Sequence, residues 1–195
     1  MGNQHGGQKA LKKQELKKLV ETTHFDIEEI RKLFEQFKGI SSSREDDGVI
    51  DKQEFQNALG LKDSLFVDRM FSLFDEDNDG TIDFREFICG LSVFCEKGTI
   101  DEKLKFSFRI YDFDNDGCID KEELFKLLEA IVQNSLGIPQ EQLHSLVDAT
   151  FAEADTDGDG KISFEEYRVL VTKHPAMIGN MTITTNVKRN TGAAQ

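Results

Sequence analysis

Three stretches of the chain repeat one pattern of oxygen donors: DEDNDGTIDFRE from Asp75, DFDNDGCIDKEE from Asp112 and DTDGDGKISFEE from Asp155. Each reads D-x-D-x-D-G-x-I-x-x-x-E. Positions 1, 3 and 5 are Asp75, Asp77 and Asp79, then Asp112, Asp114 and Asp116, then Asp155, Asp157 and Asp159. On a tightly wound loop, these alternating carboxylates converge on one point. Position 7 gives only its main-chain carbonyl, so Thr81, Cys118 and Lys161 differ freely there. Position 9 acts through water, from Asp83, Asp120 and Ser163, and position 12 supplies the two-oxygen carboxylates of Glu86, Glu123 and Glu166. Glycine at position 6 makes the sharp turn without a Cβ penalty. Left alone, these carboxylates repel, at roughly 2–3 kcal/mol per pair for ~6 Å and an effective dielectric of ~20. A hard divalent cation reverses that sign. The all-oxygen, geometrically flexible donor set suits Ca²⁺ better than Mg²⁺, which demands a tight octahedron.

Loops of this kind need a helix on each side, and the flanks carry helical periodicity. Ile30-Leu33-Phe34-Phe37, Val67-Met70-Phe71-Phe74, Leu104-Phe108-Tyr111 and Leu143-Leu146-Val147-Phe151 mark four incoming helices. Asp26 with Glu29 and Thr99 with Glu102 form capping boxes, Phe25 can staple to Ile30, and Pro139 suits a helix start. Ile82, Ile119 and Ile162 at position 8 suit a short β-bridge between paired loops. The units are therefore EF-hands. The expected fold is all-α: four EF-hand helix–loop–helix units in two compactly packed pairs, with short β-bridges between paired loops.

The fourth unit is altered. FKGISSSREDDGVIDKQEF, residues 37–55, keeps Gly48, Ile50, Asp51 and Glu54 but has serines where aspartates stand elsewhere. A 12-residue frame ending at Glu54 places Ser43, Glu45 and Asp47 at positions 1, 3 and 5. A 14-residue frame begins at Ser41 and implies a two-residue insertion. Two readings stand. Either main-chain carbonyls replace the missing aspartates, giving a weak first site with Ser41, Asp47 and Glu54, or the loop binds nothing and supplies only Ile50 as a partner for Ile82.

This serine-rich loop closely resembles the remodelled first EF-hand of the calcineurin B-like calcium sensors. The segments KLKFSFRIYDFDNDGCID and DTDGDGKISFEE resemble both those proteins and calcineurin B, the regulatory subunit of a calcium-dependent phosphatase; VTKHPAMIGNMTI is similar to the calcineurin B-like C-terminal segment. The resemblance covers residues 22 to 185. It implies three standard calcium loops beginning at Asp75, Asp112 and Asp155. It also implies a serine/threonine protein kinase as partner, with a helical segment of the kinase lying in a hydrophobic groove. Two departures bear on the partner. The tail lacks the Phe-flanked serine that those sensors present for phosphorylation. Loops 75 and 112 are also more complete than in many of them, which is closer to calcineurin B. A phosphatase catalytic subunit is thus the alternative partner.

The chain of 195 residues carries a net charge of −13, which argues against general nucleic-acid binding. Five lysines against one glutamate leave the first 20 residues at +4 and the remainder at −17. Residues 9–20 read as a short basic amphipathic stretch. Gly2 opens a myristoylation-like start, although Gly6 stands where that pattern wants Ser or Thr. With an acyl chain on Gly2, the two weak signals together would give reversible membrane attachment. Cys89, Cys95 and Cys118 are an odd count without CxxC spacing and read as reduced thiols. With no signal peptide or membrane span in view, a cytoplasmic location is expected, membrane-associated if Gly2 is acylated. His5, His24, His144 and His174 are scattered, and no HExxH, GxSxG or phosphate-loop signature occurs. No enzyme activity is expected. The expected organisation is a basic segment over 1–21, an N-terminal EF-hand pair over 22–95 (loops 41–54 and 75–86), a C-terminal pair over 96–174 (loops 112–123 and 155–166) and a tail over 175–195. The surplus of Phe and Leu in FICGLSVF and LFKLLEAIV exceeds what a small lobe hides, which favours a partner groove over a calcium buffer. Met177, Ile178 and Met181 in the tail are candidates to fill that groove when no partner is present.

Overall fold

The computed structural model describes residues 11–44, 47–60, 65–133 and 138–175. Gly2, Glu45 and the tail residues Met177, Ile178 and Met181 lie outside them. Among the described residues the helices are α1 (Lys13–Thr22), α2 (Ile27–Ser41), α3 (Lys52–Leu59), α4 (Leu65–Phe74), α5 (Phe84–Phe94), α6 (Ile100–Tyr111), α7 (Lys121–Gln133), α8 (Gln140–Ala154) and α9 (Phe164–Lys173). Two three-residue strands, β1 (Cys118–Asp120) and β2 (Lys161–Ser163), complete the elements. The protein is thus all-α in class. The four units are α2–α3, α4–α5, α6–α7 and α8–α9, each wrapped around its loop.

Local chemistry sets the element boundaries. The Asp26 carboxylate accepts the Glu29 N–H (2.9 Å), and Glu29 reaches back to the Asp26 N–H (2.8 Å). This reciprocal box closes two of the orphan donors at the start of α2. Thr99 and Glu102 do the same for α6. Each outgoing helix is capped by position 9 of its own loop. Asp51, Asp83, Asp120 and Ser163 accept the N–H groups of Glu54, Glu86, Glu123 and Glu166, at 2.7, 2.8, 2.8 and 3.4 Å. One side chain therefore ends the loop and begins the helix.

The position-8 isoleucines pair as expected. Ile50 bridges Ile82, and β1 pairs antiparallel with β2 with Ile119 opposite Ile162. All four are buried. One apolar cluster gathers Phe37, Ile50, Phe55, Phe71, Phe74 and Ile82 of the N-terminal pair, but it also takes in Phe106, Ile110 and Leu127 from α6 and α7. The two pairs consequently share a core. Gly90 permits a close approach of α5 to α4, since a Cβ there would meet the Phe74 ring at 2.5 Å. A second cluster holds Leu104, Phe108, Ile119, Phe151, Ile162 and Tyr167.

The basic N-terminal stretch is a docked helix. Leu19 of α1 is buried with Phe25, Ile30, Leu33, Ile88 and Cys95, and Leu11 and Leu16 pack against this third cluster. Phe25 and Ile30, the expected staple pair, belong to the same cluster. The apolar side of α1 is used inside the fold, and Lys12, Lys13, Lys17 and Lys18 stay exposed.

Candidate metal centres

Loops 2, 3 and 4 build the same cage. In loop 2, Asp75 Oδ1 and Oδ2 accept the Asp79 and Gly80 N–H groups (3.1 and 3.0 Å), while Asp77 Oδ1 accepts from Asp79 (3.2 Å). Asp79 Oδ1 takes both the main-chain N–H and the hydroxyl of Thr81 (2.8 and 2.7 Å). In loop 3, Asp112 Oδ2 accepts from Gly117 (3.2 Å), Asp114 from Asp116 (3.0 Å) and Asp116 from Cys118 (2.8 Å). In loop 4, Asp155 accepts from Gly158, Asp159 and Gly160, Asp157 from Asp159, and Asp159 from Lys161. Gly80, Gly117 and Gly160 have φ of 87°, 87° and 83°, the left-handed region where a Cβ is strained. The turn brings the position-1 and position-3 carboxylates together, while the position-5 carboxylates of Asp79, Asp116 and Asp159 accept the N–H groups of Thr81, Cys118 and Lys161 and stand outside those groupings.

The last glutamate closes each cage from across the loop. Glu86 accepts the N–H groups of Glu76, Asp77 and Asp83; Glu123 those of Phe113, Asp114 and Asp120; Glu166 those of Thr156, Asp157 and Ser163. The result is three acidic constellations: Asp75, Asp77 and Glu86; Asp112, Asp114 and Glu123; Asp155, Asp157 and Glu166. In each, one carboxylate oxygen per residue lies within 4.8 Å of the others. Asp112 Oδ1 is buried without any hydrogen-bond partner. An unsatisfied buried anion is costly, and a cation in the loop is the group that would satisfy it. The donor set and this orphaned oxygen both fit Ca²⁺.

Equivalent glutamates differ in their electrostatics. Burial pushes the Glu86 carboxyl above its ordinary value, even though three amides hold it. Glu166 is more exposed, and it also receives the Ser163 and Thr156 hydroxyls (2.8 and 3.0 Å). Hydrogen bonding to its charged form, led by the Ser163 amide, lowers it to about 2. Lys161 reaches from loop 4 to the Asp116 carboxylate of loop 3, and holds that carboxyl below the usual range. The paired loops are tied by a charge as well as by β1 and β2. Directly after Glu166, the buried Tyr167 hydroxyl donates to Ser107 of α6 (2.8 Å), linking the outgoing helix of loop 4 to the incoming helix of loop 3.

Loop 1 keeps the cage's closing half. Glu54 Oε1 accepts the Arg44 N–H (3.2 Å) and Oε2 the Asp51 N–H (3.1 Å). The first of these spans ten residues, as do Glu76–Glu86, Phe113–Glu123 and Thr156–Glu166. Gly48 has φ 87°, matching Gly80 and Gly117. The hydrogen-bonding frame is therefore the 12-residue one beginning at Ser43, whose hydroxyl donates to Glu54 (3.3 Å). Ser41 is the last residue of α2 and is fully buried. Asp47 accepts from Val49 (3.2 Å), and Asp51 is paired with Arg44 (3.0 Å).

Elsewhere, the three described histidines have separate surroundings: His24 bonds Glu102, His144 stacks on Phe125, and His174 bonds Glu153. Sequence reasoning missed two contributors. Thr156, at an unconstrained loop position, supplies a hydroxyl to Glu166. Arg69, from α4, donates to the main-chain carbonyls of Arg109 in the last turn of α6 and of Phe113 in loop 3. Its only sequence signal is a guanidinium in the otherwise largely apolar helix LFVDRMFSLF.

Comparison with known proteins agrees with these loops. The profile described as an EF-hand domain pair matches residues 101–172, and that described as an EF hand domain matches residues 66–94. The calcineurin B of Naegleria gruberi is 41% identical over 174 residues, covering 89% of this chain and 96% of the relative. The calcineurin B of Candida glabrata is 44% identical over 150 residues (77% and 83%), and human calcineurin B type 2 is 44% identical over 149 residues (76% and 85%). With identity at this level across most of both chains, and with the acidic loops in place, the chain belongs to the calcineurin B family of calcium-binding EF-hand proteins.

Proposed function

We propose that this chain is the calcium-dependent, non-catalytic regulatory subunit of a serine/threonine phosphatase, and that it holds an amphipathic helix of its catalytic partner. The carrying observation is that three of the four bridge isoleucines line two apolar pockets. Ile50 lines a pocket of about 250 Å³ with Met70, Phe87, Leu91 and Phe94. Ile119 and Ile162 line another of about 250 Å³ with Leu128, Leu146 and Leu170. Each pocket suits one anchoring side chain, so two anchors on one helix suit the pair. Ile50, Ile119 and Ile162 thus both pair the loops and line the pockets, which gives loop occupancy a direct route to the groove.

In this reading Asp75, Asp77, Asp79, the Thr81 carbonyl, Asp83 and Glu86 hold one ion. Asp112, Asp114, Asp116, the Cys118 carbonyl, Asp120 and Glu123 hold the second. Asp155, Asp157, Asp159, the Lys161 carbonyl, Ser163 and Glu166 hold the third. Loop 1, with Asp47 and Glu54 but serines in its first half, is a weaker site. Bound calcium neutralises the clustered carboxylates and fixes the loop. Repulsion among Asp75, Asp77 and Glu86, and among their counterparts, otherwise opposes that arrangement. The net charge of −13 favours a basic partner helix.

The names of the relatives support the phosphatase partner. The serine-rich loop 1 favours a second reading, a serine/threonine protein kinase as partner. No helix among the described residues is long and apolar enough to cross a membrane. The exposed lysines of α1 would assist reversible attachment to an anionic surface if Gly2 carries an acyl chain. The test is a pull-down from source lysate with calcium and with chelator, read by mass spectrometry. A metallophosphatase catalytic subunit in the calcium lane is the expected result. A kinase there would favour the second reading, and an empty calcium lane would point to a buffer.

A further inference from the structure

We propose that Arg69, a residue of the first EF-hand pair, is a positioning residue of the third calcium loop. The last α-helical bond of α6 runs from the Asp112 N–H to the Phe108 carbonyl (3.1 Å). The next N–H, that of Phe113, turns away to Glu123 Oε1 (2.7 Å). The Arg109 carbonyl thereby loses its usual donor four residues on. Arg69 fills the gap: its Nε and Nη2 donate to the Arg109 carbonyl at 3.0 and 2.7 Å. The same Nη2 reaches the Asp112 carbonyl and Asn115 Oδ1 (3.2 Å), and Nη1 reaches the Phe113 carbonyl (3.4 Å). The guanidinium carbon lies 5.4 Å from the Phe113 ring centroid.

One rigid fork therefore fixes main-chain positions 1 and 2 of loop 3 and the side chain at position 4. These residues bracket the points from which Asp112 and Asp114 project. Loops 2 and 4 have the same turned-away N–H, from Glu76 and Thr156 to Glu86 and Glu166. The corresponding carbonyls are those of Ser72 and Ala152, and among the described residues no arginine bonds either. Among the described residues loop 3 alone borrows this support, and it does so from the other pair. Burial works against the charge on Arg69 and the nearby Asp112 carboxylate works for it; an arginine stays protonated in either case. A fork held by charge-assisted bonds orders the loop before the ion arrives, so less ordering remains to oppose binding. Lysine, a point charge without the fork, cannot reproduce that.

This inference rests on the calcium-loop reading given above. The experiment is a calcium titration of the full chain, resolved by site through the main-chain amides of Gly80, Gly117 and Gly160 in heteronuclear NMR. Arg69→Gln is expected to weaken site 3 by about tenfold, the loss of charge-assisted hydrogen bonds, and to move site 4 by less than about twofold. Arg69→Lys is expected to remain clearly weakened. An unchanged site 3 in Arg69→Gln, full recovery with lysine, or equal weakening of sites 3 and 4 would each overturn the proposal. A wild-type chain in which Gly117 never responds to calcium would instead remove the loop assignment beneath it. Should Arg69→Gln fail to fold, Asn115→Gly takes its place, because loop 4 carries Gly158 at that position with φ 75° and so tolerates it. It removes one acceptor of the fork and should weaken site 3 selectively; no change in site 3 would again overturn the proposal.

Discussion

Ile50 and Ile82 exchange both of their main-chain hydrogen bonds, each at 2.9 Å, and neither has any exposed surface. This rung is an isolated bridge, whereas the C-terminal pair has a three-residue register between β1 and β2. Loop 1, whatever its calcium affinity, is thus fixed to loop 2 through main-chain groups and a buried side chain. Ile50→Ala should leave the rung but open a cavity. The expected loss is about 2–4 kcal/mol, measured by denaturant unfolding of the calcium-loaded protein. A loss below about 0.5 kcal/mol would mean that the site collapses freely and that Ile50 is not a core residue.

The position-12 glutamates give a direct count of sites. Glu86→Gln, Glu123→Gln and Glu166→Gln each keep the side-chain volume but remove a charge and one strong oxygen ligand. Isothermal calorimetry should show one tight ion fewer in each case. Glu54→Gln should leave the three tight sites and remove only a weaker phase. If all three of the first variants keep the full number of tight ions, the loop assignment fails.

Acid should act through Glu86 and Glu166 in opposite directions in calcium-free protein. Glu166, at about 2, lies below its ordinary value of 4.5. Its contribution to stability is present above that ordinary value and is lost as pH falls toward 2. Glu86 is raised by burial. Its contribution favours the fold below the ordinary value and is lost as pH rises through its raised one. Carboxyl ¹³C shifts followed against pH should show Glu86 titrating at higher pH than Glu166. The reverse order would mean that the Thr156 and Ser163 hydroxyls do not hold Glu166 in solution.

Much of this arrangement was legible from residue spacing. The D-x-D-x-D-G pattern fixes loop curvature by itself, because glycine's positive φ and the short aspartate reach leave few alternatives. The capping boxes at Asp26 and Thr99 are local in the same way. Long-range features were not legible. The recruitment of Phe106 and Leu127 into the first pair's core depends on how the pairs meet, and helical spacing marks only that those faces are apolar. The buried side of α1 shows the same limit, since a lysine-rich stretch announces its solvated face and Leu19 discloses nothing about its destination. Loop 1 was ambiguous for a different reason. Serines are compatible with either a 12- or a 14-residue frame, and only the Arg44 N–H to Glu54 bond distinguishes them. The Arg69 fork joins residues 40 or more apart in the chain, and no local pattern encodes it.

If the two apolar pockets hold the partner's anchors, as proposed, charge placed at their rims should weaken capture. Leu146 lines the C-terminal pocket yet is 50% exposed, and Leu59 lines the N-terminal one at 42%. Side chains so exposed contribute little to the core, so their replacement should cost little stability. On a partner-binding surface, by contrast, a charge beside an apolar anchor must be desolvated without a partner, which costs several-fold to a hundredfold in affinity. Leu146→Glu and Leu59→Glu should therefore retain the calcium count and the unfolding midpoint while weakening capture of the catalytic subunit about tenfold or more. Arg168→Glu, on exposed α9 surface outside both pocket linings, is the control for added negative charge and should leave capture within about twofold. Equal loss in all three variants would assign the effect to long-range charge rather than to the pockets. Unchanged capture in both leucine variants would place the partner elsewhere on the molecule.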